Sequence, residues 1–600
     1  MWGGIGNIRG IGGAALIRWL AMHHSSLRLL ALSALVIATT AAGEAPRPAA
    51  RPETEGGYGA LLAGQHAAAE NDPEFAADRF LAALAVLPGS PPLRLQAFLA
   101  SALAGRPEAQ RLARDMPDAA VARLLLANAD ALAGRWSLAA DRLRAPGWVG
   151  PTSVLQPLLL AWTEQAQGHP TAALARLRAA GAEARPDPRA SGVAAFHAAL
   201  IADLAGKRAE AEEFYGLAAQ GSGNVMLRLG QALASWETRR GPSGGGPSAE
   251  AGTAAARLEA RVAPGDPLHA ALPDLLAQAQ TPIVRNAREG FAEAYLALAV
   301  ALHRQEAEGL AELMLRYALD LRPDFAAARL LLSDLQEVQR RPHAALETLA
   351  PIGPTDPLAN VVRLRRDAFQ AETGHAEQAE ADLRAMTAQF PHRIEPPLQL
   401  GELLRNAGRH AEAAAAFGVA IARLPPNDIA SWRLYYGRGV AYERARDWAR
   451  AEPDLLRAAE LAPNNPLVLN YLAYAWADMG QHLRQARQML ERAAAARPDD
   501  GAIIDSLGWV KLRQGDVAGA VEALEHAVEL ATEDAVVNAH LGDAYWAAGR
   551  RLEAEYQWRR ALNLHPDPDV VARIRTRLDQ AEARPARDAA SAQAQLPQPN

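Results

Sequence analysis

Fifteen histidines, 68 acidic side chains and two lysines are the groups of this 600-residue chain with chemistry to offer. A phosphate cradle needs a Gly-rich turn running into Lys and then Ser or Thr, so that backbone N–H groups and an ammonium surround the anion. Lys207 and Lys511 are the only lysines, and neither follows such a turn. Zinc hydrolases place two histidines one helical turn apart with a Glu between them, and that spacing does not occur. No Gly-x-Ser-x-Gly run sits between a strand and a helix, where a serine nucleophile would be held. His375 and His410 share a His-Ala-Glu spelling, which points to a repeated structural unit and away from a metal. Glu522 and Glu525 are spaced for one polar helix face and read as solvated, not as an acid/base couple. We expect no catalytic residue, no metal ligand and no cofactor.

Cysteine is absent, which removes disulfides, thiolate metal sites and cysteine nucleophiles together. The net charge is −6 without a long basic block, so no nucleic-acid footprint is expected. Arg18, His23, His24 and Arg28 precede an apolar run from Leu29 to Ala38, followed by small residues from Thr39 to Gly43. That order matches a secretory signal peptide, and the run is shorter than the ~20 apolar residues of a spanning helix. Residues 1–45 are therefore expected to be a signal peptide, with Met22 a suitable start, and the mature protein to be periplasmic.

The elements that would carry any site come from repetition. Half of the residues are hydrophobic but only 6% are aromatic, a balance suited to helices packed closely through alanine. From Asp505 to Glu533 the chain reads as a helix, a turn at Gln514-Gly515-Asp516 and a second helix; the plan recurs about 34 residues later. In one register, the small-residue position of the first helix (A) falls at Ala299, Ser333, Asp367, Gly401, Gly439, Ala473, Gly508 and Gly542. An alanine of the second helix (B) falls at Ala311, Ala345, Ala379, Ala413, Ala451, Ala486, Ala520 and Ala554. A large apolar residue follows at Leu315, Leu349, Leu383, Phe417, Leu455, Leu490, Leu524 and Trp558. A closing proline stands at Pro323, Pro357, Pro391, Pro425, Pro463, Pro498 and Pro566, failing only at Thr532.

Each position has a cause. The alanine lets helix B approach helix A, where a larger side chain would overpack at about 1–3 kcal/mol. The large residue fills the space between pairs, and proline cannot continue the helix. One pair cannot bury its own apolar face, so neighbours must stack.

This pattern resembles the tetratricopeptide-repeat (TPR) family. The resemblance implies an all-α fold, a TPR superhelical solenoid of antiparallel helix pairs in two arrays. A degenerate N-terminal array is expected over 56–235, carried by Gly64, Ala76, Phe80, Ala83 and Pro88, by Ala139 with Leu143, Ala173 with Leu177, and Ala211 with Tyr215 and Ala218. A linker and irregular helical segment follows over 236–290, with the Gly/Ser/Pro run at 241–248 and prolines at Pro264, Pro267, Pro273 and Pro282. The C-terminal array then covers 291–567, a capping helix 568–582 and a disordered tail 583–600.

In such arrays the A helices line a groove. Carried over to this chain, Tyr436, Asn470, Tyr474, Asp505, Trp509, Asp543 and Trp546 would face it. Aromatic rings supply contact area at low entropy cost, and amide or carboxylate groups catch the backbone of an extended peptide. The competing reading for Tyr474, Trp509 and Trp546 is packing between repeats.

Some segments are more specific than the repeat. They are Asn470-Tyr471-Leu472-Ala473-Tyr474, Asp505-Ser506-Leu507-Gly508-Trp509, His540-Leu541-Gly542-Asp543-Ala544-Tyr545-Trp546 with Gly549-Arg550-Arg551, and the run from Ala69 to Ala77. They resemble exported bacterial TPR proteins whose relatives are lipoprotein adaptors of a carboxyl-terminal processing protease. That resemblance implies a periplasmic scaffold that holds the protease and delivers peptidoglycan hydrolases to it. The lipidated cysteine of those adaptors has no counterpart here. A scaffold for another envelope process, such as polysaccharide export or outer-membrane assembly, is the alternative. A TPR-fused enzyme would need a catalytic domain, and the unassigned span from Trp236 to Arg288 is too short for one.

Overall fold

The computed structural model describes residues 52–184, 188–220, 226–240, 281–424 and 431–594. The expected signal peptide, the run at 241–248, Pro264, Pro267, Pro273 and the closing Pro425 lie outside those residues. Among the described residues all regular structure is helical. The chain divides into two compact units, one ending at His375 and one beginning at Ala376.

The N-terminal unit holds α1 (Pro52–Ala69), α2 (Pro73–Val86), α3 (Pro91–Leu103), α4 (Glu108–Arg114), α5 (Ala120–Leu132), α6 (Trp136–Arg144), α7 (Leu155–Ala166), α8 (Pro170–Glu183), α9 (Pro188–Leu204), α10 (Arg208–Gln220) and α11 (Met226–Arg240). It continues with α12 (Ala287–Arg304), α13 (Glu308–Leu321), α14 (Ala326–Val338), α15 (Pro342–Leu349) and α16 (Ala359–Glu372). The C-terminal unit holds α17 (Ala376–Gln389), α18 (Glu395–Asn406), α19 (His410–Ala422), α20 (Trp432–Arg444), α21 (Trp448–Leu461), α22 (Pro466–Met479) and α23 (Leu483–Ala496). It ends with α24 (Gly501–Arg513), α25 (Val517–Leu530), α26 (Ala535–Ala547), α27 (Arg551–Asn563) and α28 (Pro568–Ala594). The last helix thus runs past residue 582.

Helix starts follow ordinary capping chemistry. Asp516 accepts from the Gly519 N–H, Asp534 from those of Val536 and Val537, and Asn465 from those of Leu467 and Val468. These side chains satisfy donors that a helix cannot pair by itself. Pro73, Pro91, Pro170 and Pro466 occupy the first helical turn, where a missing N–H costs nothing. Turns from A to B close on a left-handed residue: Gly374, Gly408, Gly480, Gly515 and Gly549 in five repeats, and Glu306, Arg340 and Arg446 in three. The same conformation at Asn71, Gly105, Gly134, Gly168 and Gly206 marks the N-terminal pairs.

The repeat register holds in three dimensions. All eight helix-B alanines have no exposed surface, and all eight large apolar residues are at most 1% exposed. A Cβ placed at Gly508 would come within 2.5 Å of Leu524 Cγ, and one at Gly542 within 2.5 Å of Trp558 Cδ1. At these two contacts helix A approaches helix B at a distance that leaves no room for a side chain.

In the N-terminal unit the pairs α1/α2, α3/α4, α5/α6, α7/α8 and α9/α10 stack in order. Helices α12 and α13 then pack against the A helices α3, α5, α7 and α9 of that stack. Gly290 of α12 lies so close to the Trp162 ring that an added Cβ would fall 2.2 Å from it. Phe291 meets Trp136 edge-on at 5.8 Å. The Tyr295 hydroxyl donates to Asn128 Oδ1 at 2.8 Å, and the Tyr317 hydroxyl donates to the Val121 carbonyl at 3.0 Å. Arg228 of α11 pairs with buried Glu293 of α12. The face that A helices would otherwise offer is filled by the chain's own helices.

His197 sits inside this packing without exposed surface. Its Nδ1 accepts from Trp162 Nε1 at 3.0 Å, so the neutral ring carries its proton on Nε2. Burial pushes its pKa down to about 3 from 6.5. Folding therefore excludes a proton that the unfolded chain binds below pH 6.5. The unit should lose stability as pH falls from about 6.5 toward 3, by up to about 1.4 kcal/mol per pH unit from this group. His197→Gln cannot titrate, so urea midpoints of wild type and variant should converge as pH falls through that window. A gap that stays constant between pH 7 and pH 4 would contradict the burial of a neutral ring.

Candidate protein-binding face of the C-terminal unit

Each repeat makes its A-to-B contact through one position of helix A, which leaves another face of that helix to carry polar and aromatic groups. In the C-terminal unit that face runs along α20, α22, α24 and α26. The register continues into α28, where Arg573 and Arg577 stand about 34 residues beyond Ala539 and Asp543. Of the seven residues expected in a groove, Tyr436, Asn470 and Trp546 are half-buried, while Tyr474, Asp505, Trp509 and Asp543 are buried.

The buried members form a connected group. Asp505 lies with both carboxylate oxygens 3.0 Å from His540 Nδ1. The His540 ring stacks on Trp509, centroids 4.2 Å apart and planes 17° from parallel, and sits 6.3 Å from the Tyr474 ring. Asp543 accepts from Trp558 Nε1 at 3.0 Å and pairs with Arg577 at 2.6 Å. Burial raises the Asp543 carboxyl above the usual carboxylate range, opposed by Arg577, His540 and the Trp558 bond. Arg573 lies beside the Tyr474 hydroxyl, whose pKa burial raises.

The half-buried members flank this group. Tyr436 meets Tyr471 edge-on at 5.5 Å, and the Tyr471 hydroxyl donates to Glu443 at 2.8 Å. Trp546 lies 5.5 Å from the Trp558 ring, with the Arg551 guanidinium 5.5 Å over its own ring. These three present ring and amide surface at the edge of a fixed framework.

Tyr471, His540, Arg573 and Arg577 belong to this face but were not among the residues expected from sequence. The signal for them is the register itself. His540 is the counterpart of Tyr471 and Ser506, two residues before the small position, and the arginines follow if the count continues past α27. Glu525, expected to be solvated, accepts from the Tyr545 hydroxyl at 2.7 Å and from Arg550 at 3.1 Å. It ties α25 to α26 and the following turn.

Asp505 and His540 supply the acid–imidazole half of a nucleophilic triad. His540 Nε2 has no hydrogen-bond partner, and Ser506 gives its hydroxyl proton to the Ala502 carbonyl. Among the described residues no hydroxyl is hydrogen-bonded to His540 Nε2. Among the described residues no three His, Asp or Glu side chains converge on a metal position, and no helix is long and apolar enough to cross a membrane.

Stacked antiparallel helix pairs, alanine contacts between them and left-handed A-to-B turns define a TPR solenoid fold. No family model matches the chain. A TPR repeat-containing protein of Pseudomonas aeruginosa is 32% identical over 218 residues, 36% of each chain. Bacteriophage adsorption protein A of Escherichia coli is 35% identical over 108 residues, 18% of this chain and 10% of that protein. The chain thus spans about a third of one curated relative and a tenth of the other. Among solved structures, the Cut9–Hcn1 hetero-tetramer of the APC/C aligns over 88% of this chain and 96% of its own, with 14% identity and a TM-score of 0.37.

The Asp543–Arg577 pair gives a direct check of how α28 is held. Breaking a buried pair leaves an uncompensated charge, and the half-exposed Arg577 side chain reduces the cost by screening. Arg577→Ala should destabilise the C-terminal unit by about 2 kcal/mol, and Arg577→Ala with Asp543→Asn by less. Equal losses in single and double variants would show that the pair does not hold the helix.

Proposed function

We propose that the protein is an exported scaffold holding other proteins along the A-helix face of its C-terminal unit. Its role in this reading is that of an adaptor presenting clients, such as peptidoglycan hydrolases, to a processing protease. The observation that supports protein binding is the contrast between the units. The N-terminal A-helix face is filled by α12 and α13, whereas the C-terminal unit keeps Tyr436, Asn470 and Trp546 half-buried beside a rigid aromatic and ionic framework. Rigid aromatic anchors next to amides suit extended segments of a partner.

Export is supported by the basic, apolar and small-residue order over residues 18–43. The adaptor role is supported by the specific segments around Tyr474, Trp509 and Trp546 together with the run at 69–77. The partners in this reading are a carboxyl-terminal processing protease and its cell-wall clients.

The test is a crosslinked pull-down of the tagged mature chain from the envelope fraction of its own organism. A processing protease should be recovered with a cell-wall hydrolase, and both should be lost from the Tyr436→Ala, Asn470→Ala, Trp546→Ala variant. Recovery of export or assembly proteins without a protease would sink the adaptor and leave the scaffold. Cytoplasmic partners alone would overturn export.

A further inference from the structure

The repeat register shows which face of α1 is left bare. The small position of helix A stands seven residues before the left-handed turn residue, at Gly64, Ala127, Ala161 and Ala199 in the N-terminal unit and at Ala473, Gly508 and Gly542 in the C-terminal one. Two residues before that position, the side chain meets the A helix of the preceding pair. His197 accepts there from Trp162 of α7 at 3.0 Å, Tyr471 meets Tyr436 of α20 at 5.5 Å, and His540 stacks on Trp509 of α24 at 4.2 Å. All three are buried, as are Leu125 and Leu159 at the same position. Leu62 is their counterpart in α1, and it is 65% exposed. Tyr58, one helical turn earlier on the same face, is 58% exposed.

A solenoid needs a polar outer face where its stack ends. The last pair has one: Val570, Ile574 and Ala581 of α28 are buried in a core with Trp558 and Ala561, while Arg575, Thr576, Asp579 and Gln580 of the same helix are exposed. The first pair does not. Between Glu55 and Glu70 the sequence has no Asp, Glu, Lys or Arg, so α1 turns an uncharged, partly apolar face outward. Under the export reading, only residues 46–51 precede α1 after cleavage, too few to form the helix pair that would cover it.

The face fits a second copy of itself. Tyr58 and Leu62 project from it, while a Cβ added at Gly59 would meet nothing within 4 Å. A twofold axis across α1 sets the large side chains of one copy over Gly59 of the other, the same large-against-small contact that joins helices within a repeat. Head-to-tail growth is stopped because α28 covers the last pair. We propose that two copies of this chain associate through α1, face to face about a twofold axis, each supplying the neighbour that the first pair of the other lacks. A dimer of this kind carries two C-terminal binding faces on one particle, which raises avidity for clustered partners without any new contact to them. The proposal rests on the export reading for what precedes α1.

The test is sedimentation velocity of the chain from residue 46 onward, over about 1 to 100 µM. Monomer and dimer should exchange with a dissociation constant on the order of 10 µM, as a small interface gives. Leu62→Gln and Tyr58→Ser should each weaken association about tenfold or more, with unchanged thermal midpoints because both side chains are exposed in the monomer. The chain has no cysteine, so a single Cys introduced by Gly59→Cys, Leu62→Cys or His66→Cys can oxidise only against its copy. At least one of the three should give a disulfide-linked dimer, and Leu552→Cys, at an 81% exposed position of α27, should give none. A chain that stays monomeric to 100 µM would overturn the proposal, and so would a dimer that survives both substitutions or oxidises as readily at 552. The intact mass of the chain recovered from its own organism tests export separately. If residues 22–45 are retained, export fails and the dimer is decided on that longer chain: association lost in Leu62→Gln supports it, and a monomer overturns it.

Discussion

The contact between a small residue on one helix and a large apolar residue on the next is the constraint on which the rest depends. Gly401 meets Phe417, Gly508 meets Leu524 and Gly542 meets Trp558, each within about a carbon's reach of the glycine backbone. The contact fixes the distance between helices A and B, and the buried alanines of helix B fix the angle at which the next pair can stack. In the C-terminal unit stability is then close to a sum over neighbouring pairs, whereas in the N-terminal unit α12 and α13 add contacts to the A helices of four earlier pairs. Positions outside that contact are free to differ from repeat to repeat. They are where the two units part company.

In the N-terminal unit the A-helix positions serve cohesion. Asn128, Trp162 and His197 are buried and meet residues of the same unit, and Tyr295 and Tyr317 reach back to α5 from more than a hundred residues along the chain. In the C-terminal unit the equivalent positions carry charge pairs and stacked rings around a face that is only partly covered. A rigid framework with half-buried aromatic and amide edges binds at low entropic cost, since little has to be ordered on contact. The division of labour between the units thus arises from the same repeat, filled differently.

Much of this is written in local pattern. The alanines from Ala311 to Ala554 and the residues from Leu315 to Trp558 locate the helix pairs, because their burial follows from a short, recurring contact. The N-terminal pairs are harder to see, yet Asn71, Gly105, Gly134, Gly168 and Gly206 mark their turns as clearly as Gly515 marks the later ones. The packing of α12 and α13 onto earlier A helices leaves no periodic trace. Gly290 reads as an unremarkable helix residue until Trp162 is seen against it. The candidate face shows the same limit. Spacing places Trp509 and Trp546 on equivalent helices, but only the neighbouring helices decide that His540 covers the first ring and leaves the second half-open.

The most direct measurement is site-specific photocrosslinking in envelope fractions, with a benzoylphenylalanine placed singly along the mature chain. The account predicts crosslinks to partner proteins from positions 436, 470 and 546, and none from the exposed outer residues Leu552 and Tyr556. Crosslinks from 552 and 556 with silence along the A-helix face would contradict it and move the binding surface to the outside of the last repeat.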